Sequence, residues 1–466
     1  SALSALCKYY NLDVTRKYVE NFSNGISVIS VYIAHSDDIT PEMVIYQLTK
    51  EASLLYCIPN NIFYEQFWSG KMSLQECIYA HSGVIFVTHF LNRLGPEFSS
   101  LKELLNTEKS VKNAEIVNQI KRRLTSETYT QSYIAEVFES YTTVLKQLYR
   151  NFADTHYIQS SLEKTLSYQR ISAIKPIAND EDFENILNHA CSQNQRHILV
   201  LKALYSFNKS ILKTNFFVTT KIALSFRLHP NFLPKDEYPN QPFGMFFVVG
   251  SDFRGFHIRF RDIARGGIRI VKSKSIDTYN TNLRNIFDEN YNLASTQQRK
   301  NKDIPEGGSK GVILLNPGAA QERPKECFSK YIDSIIDILI KDPHKESIVD
   351  LYGKNEIIFM GPDENTAGYV DWATLHARER GAPWWKSFFT GKSPTIGGIP
   401  HDEYGMTTLS VRAFVEKVYE KKNITDLKNI YKIQTGGPDG DLGSNEILLS
   451  KEETYVGLCD GSGVIV

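Results

Sequence analysis

Tryptophan, methionine and cysteine are scarce, at 4, 5 and 6 of 466 residues. The cysteines (Cys7, Cys57, Cys77, Cys191, Cys327 and Cys459) form no Cys-x-x-Cys pair. That spacing argues against a disulfide scaffold and a cysteine-built zinc site, and it suits a reducing compartment. The 11 histidines form no His-x3-His pair, so no metal site is supported. No run reaches the roughly 18 apolar residues of a membrane span. Gly83–Leu91 and Gly244–Gly250 are short enough to be core elements. Excess charge is also missing, with 53 basic against 53 acidic residues. A nucleic-acid coat or a polybasic membrane binder would show a basic surplus. The first residues, SALSALCKYYNLD, lack the charged and apolar regions of a secretory signal. A cytoplasmic or mitochondrial location, not secretion, is therefore expected. Serine stands first instead of methionine, which reads as a start inside a longer reading frame.

What is present is ordinary for a globular protein: 42% hydrophobic and 23% charged residues. This length suggests about three domains. Asn24–His35 alternates and is β-branched, as in a strand or hairpin arm. Thr40-Pro41-Glu42 resembles a helix start. Helical spacing of apolar residues follows over Met43–Tyr56, Leu74–Leu94, Ser132–Phe152, Ile158–Tyr168 and Asp180–Asn208. This first part, 1–210, reads as a mostly helical extension whose Tyr and Phe stripes serve packing. From about residue 211 the pattern changes. FFVTTKIALSF, GMFFVVG and GFHIRFRDI read as strands. Helices at Tyr279–Ser295, Lys325–Lys341, Thr366–Arg380 and Gly405–Lys421 then alternate with strands at Gly311–Leu315, Glu356–Met360, Ile430–Gln434 and Tyr455–Cys459. Such alternation indicates an α/β fold with covered sheet faces. The expected division is 1–210, an α/β domain at 211–425, and a Rossmann-like start at 426–466.

Three glycine-rich segments read as turns: Arg265–Arg269, Pro305–Gly311 and Gly436–Asn445. Paired glycines allow close approach to a ligand or positive φ; each segment alone is equally a tight turn. Lys310 lies between Gly308 and Gly311, where partial desolvation would suit it to proton transfer. The order Ser309-Lys310-Gly311 excludes a Walker A loop. Asp363 follows the apolar strand Ile357–Met360, at a carboxyl end where α/β sheets bind ligands. It could equally cap the helix that follows. In the third segment a strand runs into Gly437, Gly440 and Gly443, then a short helix and a strand ending at Asp460. Asp460 is 17 residues beyond Gly443, close to the about 20 of a dinucleotide fold. An acid there favours NAD, because it would repel a 2′-phosphate. His257, His376 and His401 read as surface or hydrogen-bonded groups, and Lys272 and Lys302 as solvated.

Taken together, RFRDIARGGIRIV (259–271), LASTQQRKNKDIPEGGSKGVILLNP (293–317), IIFMGPDENTAGYVDWATLHARERG (357–381), FTGKSPTIGGIPHDEYGMTT (389–408) and QTGGPDGDLGSNEI (434–447) resemble the large NAD-specific glutamate dehydrogenases. That branch, within the glutamate, leucine, phenylalanine and valine dehydrogenase superfamily, has long N-terminal extensions. The resemblance covers roughly residues 240–466. It implies that Lys310 polarises the substrate and activates water, and that Asp363 shuttles a proton to and from the amino group. It implies that Arg265 stands where smaller relatives carry a lysine for the side-chain carboxylate, that Lys300 holds the α-carboxylate, and that Gly308 lines the substrate site. For the cofactor it implies Gly437, Gly440, Gly443, Ser444, Asn445 and Asp460, with Thr407 or Thr408 near the nicotinamide amide. The implied reaction is NAD-dependent oxidation of glutamate to 2-oxoglutarate and ammonia by a homo-oligomer that binds neither nucleic acid nor membrane. A leucine- or phenylalanine-type dehydrogenase would need apolar groups where Arg265 sits. A non-catalytic amino-acid-binding relative is the third alternative. The sequence stops after what reads as the second strand of the dinucleotide fold, so little NAD-dependent turnover is expected of these 466 residues alone.

Overall fold

A computed structural model describes residues 2–466 apart from 25, 35–40, 92–103, 106–109, 158–172, 236, 344, 346–347 and 437–440. The expected helix at Ile158–Tyr168 and the Thr40 cap lie outside the described residues. The chain forms two compact units, Ser1–Phe388 and Phe389–Val466.

The first unit opens with helix α1 (Ala2–Tyr9) and a two-stranded antiparallel hairpin, β1 (Asp13–Asn21) and β2 (Ser27–Ala34). A helical layer follows: α2 (Pro41–Cys57), α3 (Tyr64–Trp68), α4 (Leu74–Phe90), α5 (Val111–Thr128), α6 (Gln131–Ser140), α7 (Thr142–His156), α8 (Asp180–Ala190) and α9 (Gln195–Ser210). Local chemistry sets the starts of several. Ser73 and Glu76 form a reciprocal capping box on α4, which satisfies N–H groups that a helix leaves open. Asn179 and Asn194 cap α8 and α9 through their side-chain oxygens. The single helix expected over Asp180–Asn208 is broken, because Ser192 and Gln193 take positive φ of 45° and 66°.

A seven-stranded mixed sheet comes next: β3 (Ile211–Thr214), β4 (Leu224–Leu228), β5 (Gly244–Val249), β6 (Phe253–Arg259), β7 (Ala264–Val271), β8 (Gly307–Leu315) and β9 (Phe359–Pro362). Its order is β3-β4-β5-β6-β8-β7-β9. Pairing is antiparallel from β3 to β8 and parallel among β8, β7 and β9. Every residue of β4, β5 and β6 is buried, as expected of strands covered on both faces. Met245, Phe247, Phe256, Ile258, Val312 and Leu314 join the core of the helical layer. Connecting helices are α10 (Ile276–Gln298), α11 (Pro324–Leu339), α12 (Val370–Glu379) and the short α13 (Trp385–Phe388). On the sheet, Glu356 is fully buried among Lys213 (3.2 Å), Arg227 (2.8 Å) and Arg259 (2.6 Å).

Two of the expected glycine turns are strands. Gly266 and Gly267 lie inside β7, and Gly307, Gly308 and Lys310 inside β8. None of these glycines has positive φ; they are needed for space. A Cβ on Gly266 would sit 1.4 Å from the Ser309 carbonyl oxygen, and one on Gly308 2.1 Å from the Gln298 backbone nitrogen. Glycine thus lets β7 close on β8, and α10 close on β8.

The second unit contains α14 (Met406–Lys421) and a three-stranded sheet, β10 (Tyr431–Thr435), β11 (Thr454–Cys459) and β12 (Val464–Ile465), with α15 (Asp441–Leu449) between the first two strands. β10 and β11 are parallel and β12 is antiparallel to β11. Glu453 fastens this unit: its carboxylate lies 2.6 Å from Arg412 on α14 and 3.6 Å from Lys432 on β10. Despite burial, its hydrogen bonds to Ser450 and Arg412 hold its pKa down at about 2. Among the described residues no helix is long and apolar enough to cross a membrane.

Candidate active site

The site is built on three neighbouring strands of the first unit. Side chains alternate along a strand, so Arg265, Gly267 and Arg269 share one face of β7. Arg265 is in parallel register with Gly308, which puts Gly308 and Lys310 of β8 on that same face. Residues 363–366, just beyond β9, fold back onto β7. The Thr366 hydroxyl donates to the Ile268 carbonyl (2.8 Å) and accepts from the Asp363 N–H (2.9 Å). Asn365, at φ 62°, donates from its side chain to the Ile270 carbonyl (3.0 Å), and the Ile270 N–H donates to the Glu364 carbonyl (3.0 Å). Asparagine is one of the few residues that tolerates this backbone region.

These bonds deliver Asp363 onto the gap left by Gly267, where a Cβ would lie 2.7 Å from Asp363 Oδ2. Lys310 Nζ donates to that oxygen at 2.6 Å. The two side chains are 16% and 34% exposed, so the pair is sheltered yet open to a small molecule. Burial acts to raise the Asp363 pKa. The hydrogen bond and charge of Lys310, the Glu364 N–H and the charge of Arg269 outweigh it, and the carboxyl titrates below its ordinary range. Asp363 is thus an ionised partner of Lys310; the helical turn after it spans Ala367–Tyr369 with Thr366 at the N-cap position, so Asp363 is not its cap.

The remaining expected residues are placed unevenly. Arg265 is 41% exposed and pairs with Glu306 through Nη2 at 3.0 Å. Lys300 is exposed just beyond α10. Lys302, expected to be solvated, is instead 15% exposed; it donates to the Gly307 carbonyl (3.1 Å) and lies 3.4 Å from Glu306. His257 also departs from expectation: it is fully buried with neither ring nitrogen hydrogen-bonded, and burial pushes its pKa down to about 3. His376 is bonded to Asp333 at 2.7 Å and His401 is a surface partner of Asp402. Lys272 is exposed. Sequence reasoning passed over Glu306 and Arg269. Strand alternation from Lys310 back through Gly308 would have pointed to Glu306, and from Arg265 forward to Arg269.

In the second unit, Gly437 and Gly440 lie outside the described residues. Gly443, Ser444 and Asn445 lie on α15, where Asn445 donates to the Asp402 carbonyl (2.8 Å). Thr407 is exposed, whereas Thr408 is buried and its hydroxyl donates to the Leu442 carbonyl at 3.0 Å. Asp460 stands at the end of β11. Its Oδ1 accepts the N–H groups of Ser462 (2.7 Å) and Gly463 (3.0 Å), so Oδ2 remains for another donor.

Comparison with known proteins gives a consistent answer. Residues 1–69 match the family described as "NAD-specific glutamate dehydrogenase, second domain", and residues 182–466 match "Bacterial NAD-glutamate dehydrogenase, catalytic domain". The NAD-specific glutamate dehydrogenase of Saccharomyces cerevisiae is 54% identical over 481 residues, covering all of this chain and 44% of that protein. The NAD-specific glutamate dehydrogenase of Neurospora crassa is 56% identical over 474 residues, again all of this chain and 44% of the relative. The chain therefore spans less than half the length of these relatives. Among solved structures, a hetero-hexameric glutamate dehydrogenase from Thermus thermophilus shows 20% identity over 46% of each chain. Its TM-score is 0.33, and that likeness carries no argument. A family match over more than half of the chain, joined by relatives more than half identical along all of it, makes this chain a member of the NAD-specific glutamate dehydrogenase family.

Proposed function

We propose that the protein containing this chain oxidatively deaminates L-glutamate with NAD and water, giving 2-oxoglutarate, ammonium, NADH and a proton. The observation that carries the reading is the Lys310–Asp363 pair, 2.6 Å apart, with the guanidinium of Arg265 on the same face of the adjacent strand. Glutamate brings two carboxylates. Arg265 takes the side-chain carboxylate, for which a planar fork is suited, and Lys300 takes the α-carboxylate beside the Gly308 backbone. The substrate amine must be neutral before its α-carbon is oxidised, and Asp363, ionised at neutral pH, accepts that proton. NAD, when bound, supplies the hydride acceptor. Lys310 then polarises the carbon to be hydrated and orients the attacking water, and Asp363 returns a proton to the departing nitrogen.

The second unit fits the cofactor. Its parallel β10–α15–β11 arrangement suits the start of a dinucleotide-binding fold. Gly443, Ser444 and Asn445 on α15 lie in the glycine-rich region, with Gly437 and Gly440 before them. Thr407 is the exposed member of its pair. The open Oδ2 of Asp460 is available to ribose hydroxyls and would repel a 2′-phosphate. The functional division is an extension at 1–210, a substrate domain at 211–425 and the start of the NAD-binding domain at 426–466. The protein acts as a homo-oligomer in the cytoplasm or mitochondrion.

The test is steady-state glutamate oxidation by the protein at its full natural length. The reading predicts turnover with NAD and little with NADP. Oxidation of leucine or phenylalanine in preference to glutamate would overturn it.

A further inference from the structure

Glu306 precedes the first glycine of β8 and is 9% exposed. A buried carboxylate needs partners, and it has two cations. Its Oε1 accepts Arg265 Nε at 3.1 Å and lies 3.0 Å from Arg265 Nη2. Lys302 Nζ stands 3.4 Å from the same oxygen and donates to the Gly307 carbonyl at 3.1 Å. One carboxylate between two cations leaves the trio with a net charge of +1. Glu306 also occupies only one edge of the guanidinium, the one formed by Nε and Nη2. A guanidinium has five N–H donors in a fixed fork, so the Nη1 edge is left for a second carboxylate. The Arg265 side chain is 41% exposed.

We propose that Glu306 is a positioning residue for dicarboxylic substrates. It clamps Arg265 along one edge and so presents the other, in a fixed orientation, to the side-chain carboxylate of the amino acid. Lys302 braces the clamp: it offsets the charge of Glu306 and ties it to the backbone at Gly307. The trio keeps one uncompensated positive charge, which favours a substrate ending in a carboxylate over one ending in an alkyl group. This rests on the reading of Arg265 as the side-chain carboxylate ligand. Without Glu306, Arg265 would have to be ordered by the substrate itself, beside a second cation that repels it.

The experiment compares Glu306→Ala, Glu306→Gln and Glu306→Asp with the unaltered full-length protein, using glutamate and norvaline as substrates with NAD. Glu306→Ala is expected to raise KM for glutamate about tenfold, the scale of immobilising one long side chain. Its kcat should change little, and kcat/KM for norvaline should hold. Glu306→Asp should recover part of the loss, and Glu306→Gln should lie between. Thermal stabilisation by added glutamate should fall in parallel. If Glu306→Ala does not fold, the Gln variant carries the same comparison. An unchanged or lowered KM for glutamate overturns the proposal, and so does an equal loss on both substrates, which marks general distortion. Absence of glutamate oxidation in the unaltered protein overturns the dehydrogenase reading and this inference with it; normal oxidation with unaffected variants overturns the inference alone.

Discussion

Lys310 and Asp363, 53 positions apart in sequence, meet through a 2.6 Å hydrogen bond that exists only because Gly267 leaves room between them and β7. The lysine comes from the middle of a strand and the aspartate from just beyond the end of another, so the sheet fixes the backbone of both. Such fixed placement is what a proton-transfer pair requires.

Asp363→Asn keeps the shape of the side chain and removes its charge. It should lower kcat for glutamate oxidation by about 10²–10⁴-fold, the usual contribution of a general base. Acid unfolding gives a second readout. The folded carboxyl titrates below its ordinary value of 3.8, so its stabilising effect is complete above that value and is lost as pH falls through the folded value. The Asn variant should therefore lose less stability on acidification than the unaltered protein. Equal pH slopes in denaturant titrations would count against an ionised Asp363.

Gly267→Ala would place a Cβ 2.8 Å from Asp363 Cβ. The aspartate must shift, and a shift of this kind can cost about 10²-fold in rate. Gly368→Ala, with nothing within 4 Å of the added carbon, should leave kcat unchanged. Parallel rate measurements on the two variants check this, with far-ultraviolet circular dichroism to establish that both are folded.

Glu356 holds three buried cations together. Although burial opposes its charge, Arg227, Arg259 and Lys213 keep its pKa below the ordinary value. Replacing it with glutamine leaves those cations uncompensated, at a cost of about 3–5 kcal/mol. A fall of that size in the stability of the first unit, measured by urea unfolding, is expected. A change under about 1 kcal/mol would show that the cations reach water instead.

The parts of this fold that could be read in the sequence were those where side chains announce their surroundings. The apolar runs of β5 and β6 declared strands, and the alternating Ser27–Ala34 declared its hairpin arm. The partner arm β1 did not: every residue of Asp13–Asn21 is exposed, so no buried face imprints a pattern. The glycine-rich parts of β7 and β8 read as turns because glycine erases the alternation that marks a strand, although space, not chain reversal, is what demands glycine there. The break between α8 and α9 carries neither glycine nor proline. In the site, Lys310, Asp363 and Arg265 stood out through their motifs, and the fold brings them to one face. Glu306 did not, because its importance comes from contact with Arg265, 41 positions earlier; nor did Lys302, whose partners are Glu306 and the Gly307 carbonyl.

The most direct test is Lys310→Ala in the full-length protein, assayed for glutamate oxidation with NAD at saturating substrate. Loss of the ammonium removes the partner of Asp363 and the group that polarises the substrate, so kcat should fall by at least about 10³-fold, on the scale of losing a preorganised catalytic charge. NAD affinity, read by fluorescence titration, should be unchanged. A variant that retains activity within about tenfold of the original protein would show that the chemistry takes place without this lysine.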